Sequence, residues 1–364
     1  MHAALGLARR GLGNTWPNPA VGCVIVKDGV VVGRGWTQPG GRPHAEAEAL
    51  ARAGAAARGA TAYVTLEPCA HRGQTPPCAA ALVAAGIARV VSALEDPDPR
   101  VAGRGHAMLR AAGVAVEVGP GAAEARAVNR GFLTRLARGR PMVTLKLATS
   151  LDGRIATRMG DSKWVTGEGA RARGHLLRAT HDATMVGIGT ALADDPALTC
   201  RLPGLASPRR VRVVMDSQAR LPLTGALASS ARTQPVWVVA GRDADPARVA
   251  ALAAAGVEVL AVPVAPDGRA SAGAALLALG ERGLTRLLVE GGGRLAASLL
   301  AARLVDRLVW FRAPIVIGGD GVPAVAGLDV ARLAQSHGFA RISVEAAGDD
   351  LVETYDMVSP APAG

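Results

Sequence analysis

The chain has 364 residues, 49% hydrophobic and 20% charged, which excludes general disorder and favours two domains of roughly 150 residues or more. Its 41 Lys and Arg exceed 30 Asp and Glu by 11, but with 3% aromatic residues and no basic cluster, we expect no nucleic-acid partner. No apolar run is long enough for a bilayer span and no signal peptide begins the chain, so we expect no membrane partner and a cytoplasmic location.

The first part of the chain alternates between the two secondary-structure patterns. Apolar, β-branched runs predict strands at 20–26, 30–36, 60–66, 88–93 and 114–118. Periodic Ala and Leu predict helices at 44–56, 77–86, 103–113 and 122–138. This order indicates an α/β domain built from βαβ units. A basic segment that ends in Gly139, Arg140 and Pro141 marks the expected boundary, so we predict domains at 1–140 and 141–364.

The second part also reads as α/β. Strands are predicted at 142–147, 182–188, 210–216, 235–240, 257–262, 286–290 and 307–317, with two more at 340–346 and 351–358. Helical patterns separate the earlier strands, whereas the last strands follow one another closely. The pattern therefore predicts a largely parallel sheet with an antiparallel end.

Three residues of the first part have the chemistry of a zinc site. Cys69 and Cys78 supply two thiolates and His44 an imidazole, which leaves the fourth position of a tetrahedral ion open, as in a catalytic site. His44 and Glu46 are two residues apart, so they face one ligand only at a helix entrance, which Pro43 predicts. A helix start at Cys78 would favour its thiolate.

Glu46 is expected to move a proton from the attacking water to a leaving amine rather than to bind the metal. The order His-x-Glu, Pro-Cys, Cys is that of zinc nucleobase deaminases. The alternative is that Cys69 and Cys78 form a redox pair or a structural zinc site, with His71 as a further ligand of that zinc. That alternative leaves Glu46 without a role, so we favour catalysis.

Seven segments together resemble one family, the bifunctional riboflavin-biosynthesis deaminase–reductases (RibD). They are the segments 17–22, 44–46, 65–69, 73–78, 150–154, 192–199 and 289–293. Eight residues separate the two cysteines, a spacing specific to this family among zinc deaminases. The resemblance implies a cytidine-deaminase-like α/β/α zinc domain followed by a dihydrofolate-reductase-like α/β domain.

The resemblance also implies the first reaction. The N-terminal domain would hydrolyse the amine of 2,5-diamino-6-(5-phosphoribosylamino)pyrimidin-4(3H)-one, with Zn²⁺ on His44, Cys69 and Cys78 and with Glu46 as the proton shuttle. Asn18 would bind the pyrimidine edge. Asn18 stands between two prolines, so an ordinary turn residue is an equal alternative.

The second domain would reduce the ribosyl group to ribityl with NADPH. Gly291–Gly293 lie between an apolar strand and a helix, where backbone without Cβ can approach a phosphate, although a tight turn would look the same. No spaced G-x-G-x-x-G follows an early strand, which disfavours a Rossmann domain. The implied cofactor contacts are Ala148, Trp164, Thr190, Asp194, Ser217, Gly292, Gly293, Arg294, Leu295, Ala296, Ala297 and Ser298. The implied substrate contacts are Ser162, Arg178, Leu198, Arg201 and Glu290.

Three residues compete as the proton donor of the reduction. Lys146, one of only three lysines, is a candidate, and Asp152 and Asp195 serve equally well. We expect a small phosphoribosyl pyrimidine as partner and a homo-oligomer. The competing function is a zinc nucleoside or RNA deaminase with an appended nucleotide-binding domain; the cysteine spacing and the few aromatic residues argue against it.

Overall fold

A computed structural model of the chain describes residues 1–71, 76–205, 207 and 209–358. The chain divides into two compact units, Met1–Gly139 and Arg140–Gly364. Among the described residues, no helix combines the length and apolarity that crossing a membrane requires.

In its described residues, 1–71 and 76–139, the first unit contains a five-stranded sheet and six α-helices. Its strands are β1 Gly22–Lys27, β2 Val30–Trp36, β3 Thr61–Val64, β4 Arg89–Ser92 and β5 Ala115–Val118. Its helices are α1 His2–Arg9, α2 Ala45–Ala53, α3 Cys78–Ala84, α4 Arg104–Ala111, α5 Ala122–Val128 and α6 Arg130–Arg138, with a 3₁₀ turn at Gly54–Ala57. The sheet order is β2-β1-β3-β4-β5.

Only part of this sheet follows the βαβ pattern expected from the sequence. β3, β4 and β5 are parallel, but β1 is antiparallel to both β2 and β3. A two-residue turn joins β1 to β2, with Asp28 at φ 50° and Gly29 at φ 77°. Asp-Gly is a typical sequence for such a hairpin turn, so the sequence held a signal for the antiparallel pair.

The second unit contains a nine-stranded sheet. Its strands are β6 Met142–Thr149, β8 Ala183–Gly187, β9 Val211–Met215, β10 Val236–Gly241, β11 Glu258–Val262, β12 Arg286–Glu290, β13 Arg307–Arg312, β15 Phe339–Ala347 and β16 Asp350–Met357. A separate two-stranded sheet pairs β7 Arg154–Ala156 with β14 Val322–Pro323. The helices are α7 Glu168–Ala179, α8 Ile188–Asp194, α9 Ala226–Ser229, α10 Pro246–Ala254, α11 Ala272–Glu281 and α12 Gly293–Ala301, with a 3₁₀ turn at Leu333–Gln335.

The large sheet has the predicted parallel body and antiparallel end. Its order is β11-β10-β9-β8-β12-β6-β13-β16-β15, and the ladders are parallel from β11 to β13 and antiparallel beyond β13. Every residue of β10 and β12 is buried, as is typical of strands covered on both faces. In a parallel sheet all carboxyl ends lie at one edge, which positions the residues that follow β6, β8, β9 and β12 near one another.

Candidate active sites

The three expected zinc ligands come from two helix starts and the segment after a strand. His44 is the N-cap of α2 with extended backbone (φ −70°, ψ 160°), and Glu46 lies in the first turn of that helix, as Pro43 predicts. Cys69 lies after β3, and Cys78 is the first residue of α3. The extended backbone at His44 releases its side chain from the helical spacing, so His44 and Glu46 reach one region.

The ligand atoms have the spacing that zinc requires. His44 Nδ1 lies 3.3 Å from Cys78 Sγ and 3.7 Å from Cys69 Sγ, and all three atoms lie within 4.8 Å of one another. Tetrahedral zinc with Zn–N of about 2.0 Å and Zn–S of about 2.3 Å needs about 3.5 Å between nitrogen and sulfur. One imidazole and two thiols at these distances therefore fit the ion.

Of the two thiols, only that of Cys69 is prepared for ionisation, whereas the expected favouring of the Cys78 thiolate by its helix start is overridden by its contact with Cys69 and by burial. The hydrogen bond from the Cys78 thiol lowers the pKa of Cys69 to about 4, and the same contact raises the pKa of Cys78. The backbone N–H of Cys78, at the start of α3, also donates to Cys69 Sγ over 3.3 Å. A thiolate is the form that binds a metal, so this contact prepares Cys69 as a ligand.

Glu46 is a buried acid beside these ligands, with 4% of its surface exposed. The pKa of Glu46 is raised to about 7, first by burial and then by Cys69, against the opposing effects of His44 and Cys78. Burial also raises the pKa of Cys23, with a contribution from Glu46. A carboxyl group with a pKa near neutrality can both accept and return a proton.

His71 is not among the atoms that converge on this site. The three-ligand cluster of the described residues contains His44, Cys69 and Cys78 only, which leaves the structural-zinc alternative without its fourth ligand. Of the resemblance segment 73–78, positions 73–75 lie outside the described residues.

A second acidic cluster is structural. Glu67, Glu95 and His106 have close ligand atoms, but the buried Glu67 carboxylate accepts four backbone N–H groups. The donors are Asp96 at 3.1 Å and Gly103 at 3.0 Å on Oε2, and Gly105 at 2.8 Å and His106 at 3.1 Å on Oε1. These bonds occupy both oxygens, so Glu67 ties the start of α4 to the segment that carries Cys69. Local sequence pattern carries no signal for this role of Glu67, because its donors lie 29 to 39 residues away.

In the second unit, several expected cofactor contacts gather at the carboxyl edge of the sheet. Ala148 lies near the end of β6, Thr190 and Asp194 lie on α8 directly after β8, and Ser217 follows β9. Ser217 Oγ accepts the N–H of Ala270 at 2.8 Å. These strands belong to one sheet, and its parallel body brings the residues that follow them to one edge.

The glycine segment after β12 leaves the start of α12 without side chains. Gly291 and Gly292 have φ of 93° and 77°, and a Cβ on them would lie 3.2 Å and 3.4 Å from Thr190 Oγ1. No side chain caps α12, whose first residue is Gly293. The uncapped helix start and the missing side chains fit a dinucleotide phosphate. Gly293 differs from the expectation, because its Cβ would lie 2.7 Å from the carbonyl oxygen of Pro323, which is packing within the protein.

The expected substrate contacts Arg178 and Glu290 bind each other. Arg178 Nε and Nη2 donate to Glu290 at 2.5 and 3.0 Å, and Arg178 Nη1 donates to the carbonyl of Thr199 at 3.0 Å. Lys146 Nζ lies 3.8 Å from Glu290 Oε2. The Arg178 guanidinium, which was expected to bind a phosphate, thus binds the carboxylate of Glu290 instead, because a buried carboxylate needs a cation. Burial opposes ionisation, yet Arg178 and Lys146 hold the pKa of Glu290 below its ordinary value.

The two aspartates that compete with Lys146 as the proton donor accept hydrogen bonds from backbone N–H groups. Asp152 accepts the N–H groups of Ile317 and Gly318 at 3.1 and 2.8 Å. The bond from Ser150, with these two, lowers the pKa of Asp152 to about 2. Asp195 accepts the N–H of Ala226 at 2.7 Å. Both carboxylates are thus engaged by backbone N–H groups.

The expected cofactor contacts Arg294–Ser298 lie in α12, where Ala296 and Ala297 are buried in the core rather than open to a cofactor. The other expected contacts lie on exposed or strained backbone. Ser162 and Trp164 lie on an exposed segment before α7, where Arg171 covers the Trp164 ring at 4.3 Å. Trp164 and Leu198 have positive φ (70° and 52°), although Leu198 is buried. Exposed Arg201 contacts His175, with Nε 3.3 Å from Nε2. Such strained positions in non-glycine residues concentrate at functional sites.

Comparison with known proteins gives matches to both units. Residues 141–352 match the RibD C-terminal domain family, and residues 1–94 match the cytidine and deoxycytidylate deaminase zinc-binding region. The riboflavin biosynthesis protein RibD of Escherichia coli (strain K12) is 42% identical over 357 residues, which cover 96% of each chain. The RibD protein of Aquifex aeolicus (strain VF5) is 40% identical, over 97% of this chain and 96% of that one.

Solved structures agree with these matches. Acinetobacter baumannii RibD (form 2) aligns with a TM-score of 0.86 at 38% identity, over 98% of this chain and 97% of that one. A diaminohydroxyphosphoribosylaminopyrimidine deaminase/5-amino-6-(5-phosphoribosylamino)uracil reductase from Thermotoga maritima gives 0.86 at 33%, with the same coverage. The match of the second unit removes the RNA-deaminase alternative, which required an unrelated binding domain. The chain therefore belongs to the RibD family and is a bifunctional deaminase and reductase of riboflavin biosynthesis that uses zinc and NADPH.

Proposed function

We propose that residues 1–140 hydrolyse the amine at C2 of 2,5-diamino-6-(5-phosphoribosylamino)pyrimidin-4(3H)-one and release ammonia. Residues 141–364 then reduce the ribosyl group with NADPH to give 5-amino-6-(5-phosphoribitylamino)uracil. The observation that carries the first step is the zinc-spaced triad of His44, Cys69 and Cys78 beside the buried acid Glu46. The uncapped, glycine-rich start of α12 supports the second step.

In the deaminase, His44, Cys69 and Cys78 hold the metal, and Asn18 binds the pyrimidine. When bound, zinc lowers the pKa of a water molecule so that it ionises near neutral pH. Glu46, with its pKa raised to about 7 by burial, takes the proton from the water and delivers it to the leaving amine. The water oxygen becomes the carbonyl oxygen of the product, and the amine leaves as ammonia.

In the reductase, the chain positions both reactants and supplies a proton. NADPH supplies the two electrons when bound. Its proposed contacts are Ala148, Trp164, Thr190, Asp194, Ser217 and the segment from Gly292 to Ser298. Ser162, Leu198, Arg201 and the pair Arg178–Glu290 bind the phosphoribosyl substrate. Lys146 is the proton donor, because Asp152 and Asp195 bind backbone N–H groups instead.

The test is a two-stage incubation with the diaminopyrimidine substrate. Without NADPH, we expect ammonia and the deaminated ribosyl compound; with NADPH, we expect the ribityl product, two mass units heavier than that compound. Mass spectrometry of both mixtures measures the outcome. An unchanged substrate in the zinc-loaded enzyme would overturn the proposal.

We also infer a homo-oligomer in the cytoplasm. A reducing compartment suits the unpaired cysteines, since an oxidised Cys69–Cys78 pair could not hold zinc. Light scattering of the purified chain and fractionation of the source cells measure the two properties. A monomeric mass, or recovery outside the cytoplasm, would contradict them.

A further inference from the structure

The segment 37–43, which leads directly into His44, is tied to the turn that carries Asn18. Within this segment the N–H of Gln38 donates to the carbonyl of Pro43 at 3.0 Å. The N–H of Gly40 donates to the carbonyl of Asn14 at 2.8 Å. The carbonyl of Gly41 accepts a hydrogen bond from Asn18 Nδ2 at 3.0 Å. A substrate-binding side chain and a metal-ligand segment are thus held together.

The bond to Gly41 decides which way the Asn18 amide points. A carbonyl oxygen can only accept, so the Asn18 atom that faces it must be the nitrogen. Oδ1 then points away from Gly41. Within the described part of the chain, Asn18 Oδ1 has no hydrogen-bond partner. This oxygen also does not belong to the set of buried side-chain atoms that lack a partner, so it is accessible to solvent. The atom that remains for a ligand is therefore an acceptor.

Gly41 is also the residue type that leaves room for this side chain. Its φ is +83°, in the left-handed region that favours glycine. A Cβ at this position would lie 2.1 Å from Asn18 Nδ2 and 2.7 Å from its Cγ. Any other residue would therefore have to displace the Asn18 amide.

We propose that Gly41 is a positioning residue for deamination, which orients Asn18 so that Oδ1 accepts a hydrogen bond from a ring N–H of the pyrimidine. The inference rests on the proposed function and names the recognised edge. In the pyrimidin-4(3H)-one, N3–H lies between the carbonyl carbon and C2, the carbon that loses its amine. An acceptor placed at N3–H orients C2 for attack and rejects a ring with no proton there.

The first test compares two glycine substitutions. Gly41→Ala should raise the KM for deamination about tenfold, the value of one hydrogen bond, with kcat changed by less than about threefold and zinc content unchanged. Gly29→Ala is the matched control, because Gly29 has a similar φ of +77° and nothing within 4 Å of its Cβ position. Equal KM values in the two variants would overturn the inference.

A double variant shows whether Gly41 acts through Asn18. Asn18→Gly removes the atoms that a Cβ at position 41 would meet, so Gly41→Ala should cost nothing further in that background. Additive losses would show that Gly41 acts by another route. If Gly41→Ala alone does not fold, recovery of folding in the double variant supports the contact, and failure to recover overturns it.

A substrate analogue tests the recognised edge. An N3-methyl analogue should be deaminated by the parent with a KM about tenfold higher, and the difference should shrink to about twofold in Asn18→Gly. An equal methyl penalty in both enzymes would contradict the Oδ1 assignment. A parent that releases no ammonia from the unmethylated substrate would instead overturn the proposed function itself.

Discussion

At the scale of single residues, Glu46 carries the most specific chemistry in the chain. Glu46→Gln keeps the size and the hydrogen bonds but removes the proton acceptor. We expect ammonia release to fall by about 10² to 10⁴ while zinc content and NADPH-dependent reduction stay at parental values. Elemental analysis and separate assays of the two steps provide the measurement. Loss of zinc in this variant would mean that Glu46 holds the metal site together instead.

A second residue-scale prediction concerns Glu67, which fastens the segment before Cys69 to α4. Glu67→Gln would turn an amide group toward two of the four backbone donors, so we expect the first unit to lose about 3 kcal/mol of unfolding free energy or more. Glu95→Gln, the same change at an exposed neighbour, is the control and should be near neutral. Denaturant unfolding of both variants measures the loss of stability. Equal denaturation midpoints of Glu67→Gln and Glu95→Gln would contradict the role of Glu67.

At the scale of elements, some features were predictable because their signals are local. Pro43 placed His44 at a helix entrance, and the apolar runs placed the parallel strands. The hairpin of β1 and β2 was missed although Asp28-Gly29 signals it. Contacts between distant residues had no local signal: Arg178 and Glu290 are 112 residues apart, and the Glu67 donors lie 29 to 39 residues further along the chain. Local pattern therefore predicted the helix start at His44 and the parallel strands, but not how a buried charge is neutralised.

The element-scale prediction concerns His181, which joins α7 to β6. Its Nδ1 is 2.7 Å from the carbonyl of Leu177 and its Nε2 is 2.8 Å from Thr144 Oγ1, so the neutral ring donates at Nδ1 and accepts at Nε2. The pKa of His181 is lowered to about 3, first by burial and then by Arg286 and Arg307, against the opposing effects of Leu177 and Glu290. The unfolded chain therefore binds one more proton than the folded chain between pH 6.5 and 3.

This difference makes the second unit less stable as the pH falls through that window, by about 1.4 kcal/mol per pH unit. Above pH 6.5 the contribution is fully present. We expect His181→Gln to flatten the change in melting temperature between about pH 7 and about pH 5, while exposed His2→Gln in the first unit leaves it unchanged. Calorimetry of the full chain measures the melting temperature of the second unit. That transition is identified as the one that a zinc chelator does not shift, because the proposed zinc site belongs to the first unit. An unaltered pH dependence in His181→Gln would show that the ring is protonated in the folded protein.

At the scale of the whole molecule, the two activities should separate at the boundary between the two compact units. All proposed zinc-site residues precede residue 80, and all proposed cofactor contacts follow residue 140. We therefore expect a fragment of residues 1–139 to bind zinc and release ammonia, and a fragment of residues 140–364 to bind NADPH. Loss of either property in a folded fragment would mean that its site needs the other unit.

The residue at which the chain is cut should matter, because Arg140 belongs to the second unit. Its Nη1 and Nη2 donate to buried Asp306 at 2.6 and 2.9 Å, and Asp306 also accepts the N–H of Val143 at 2.8 Å. Removing one partner of a buried ion pair costs about 3 to 5 kcal/mol. A reductase fragment that begins at Pro141 should therefore be less stable by about that amount than one that begins at Arg140, each preceded only by an initiating methionine. A fragment that begins at Gly139 is the control and should match the Arg140 fragment; equal stability of all three would show that Asp306 needs no cation from this position.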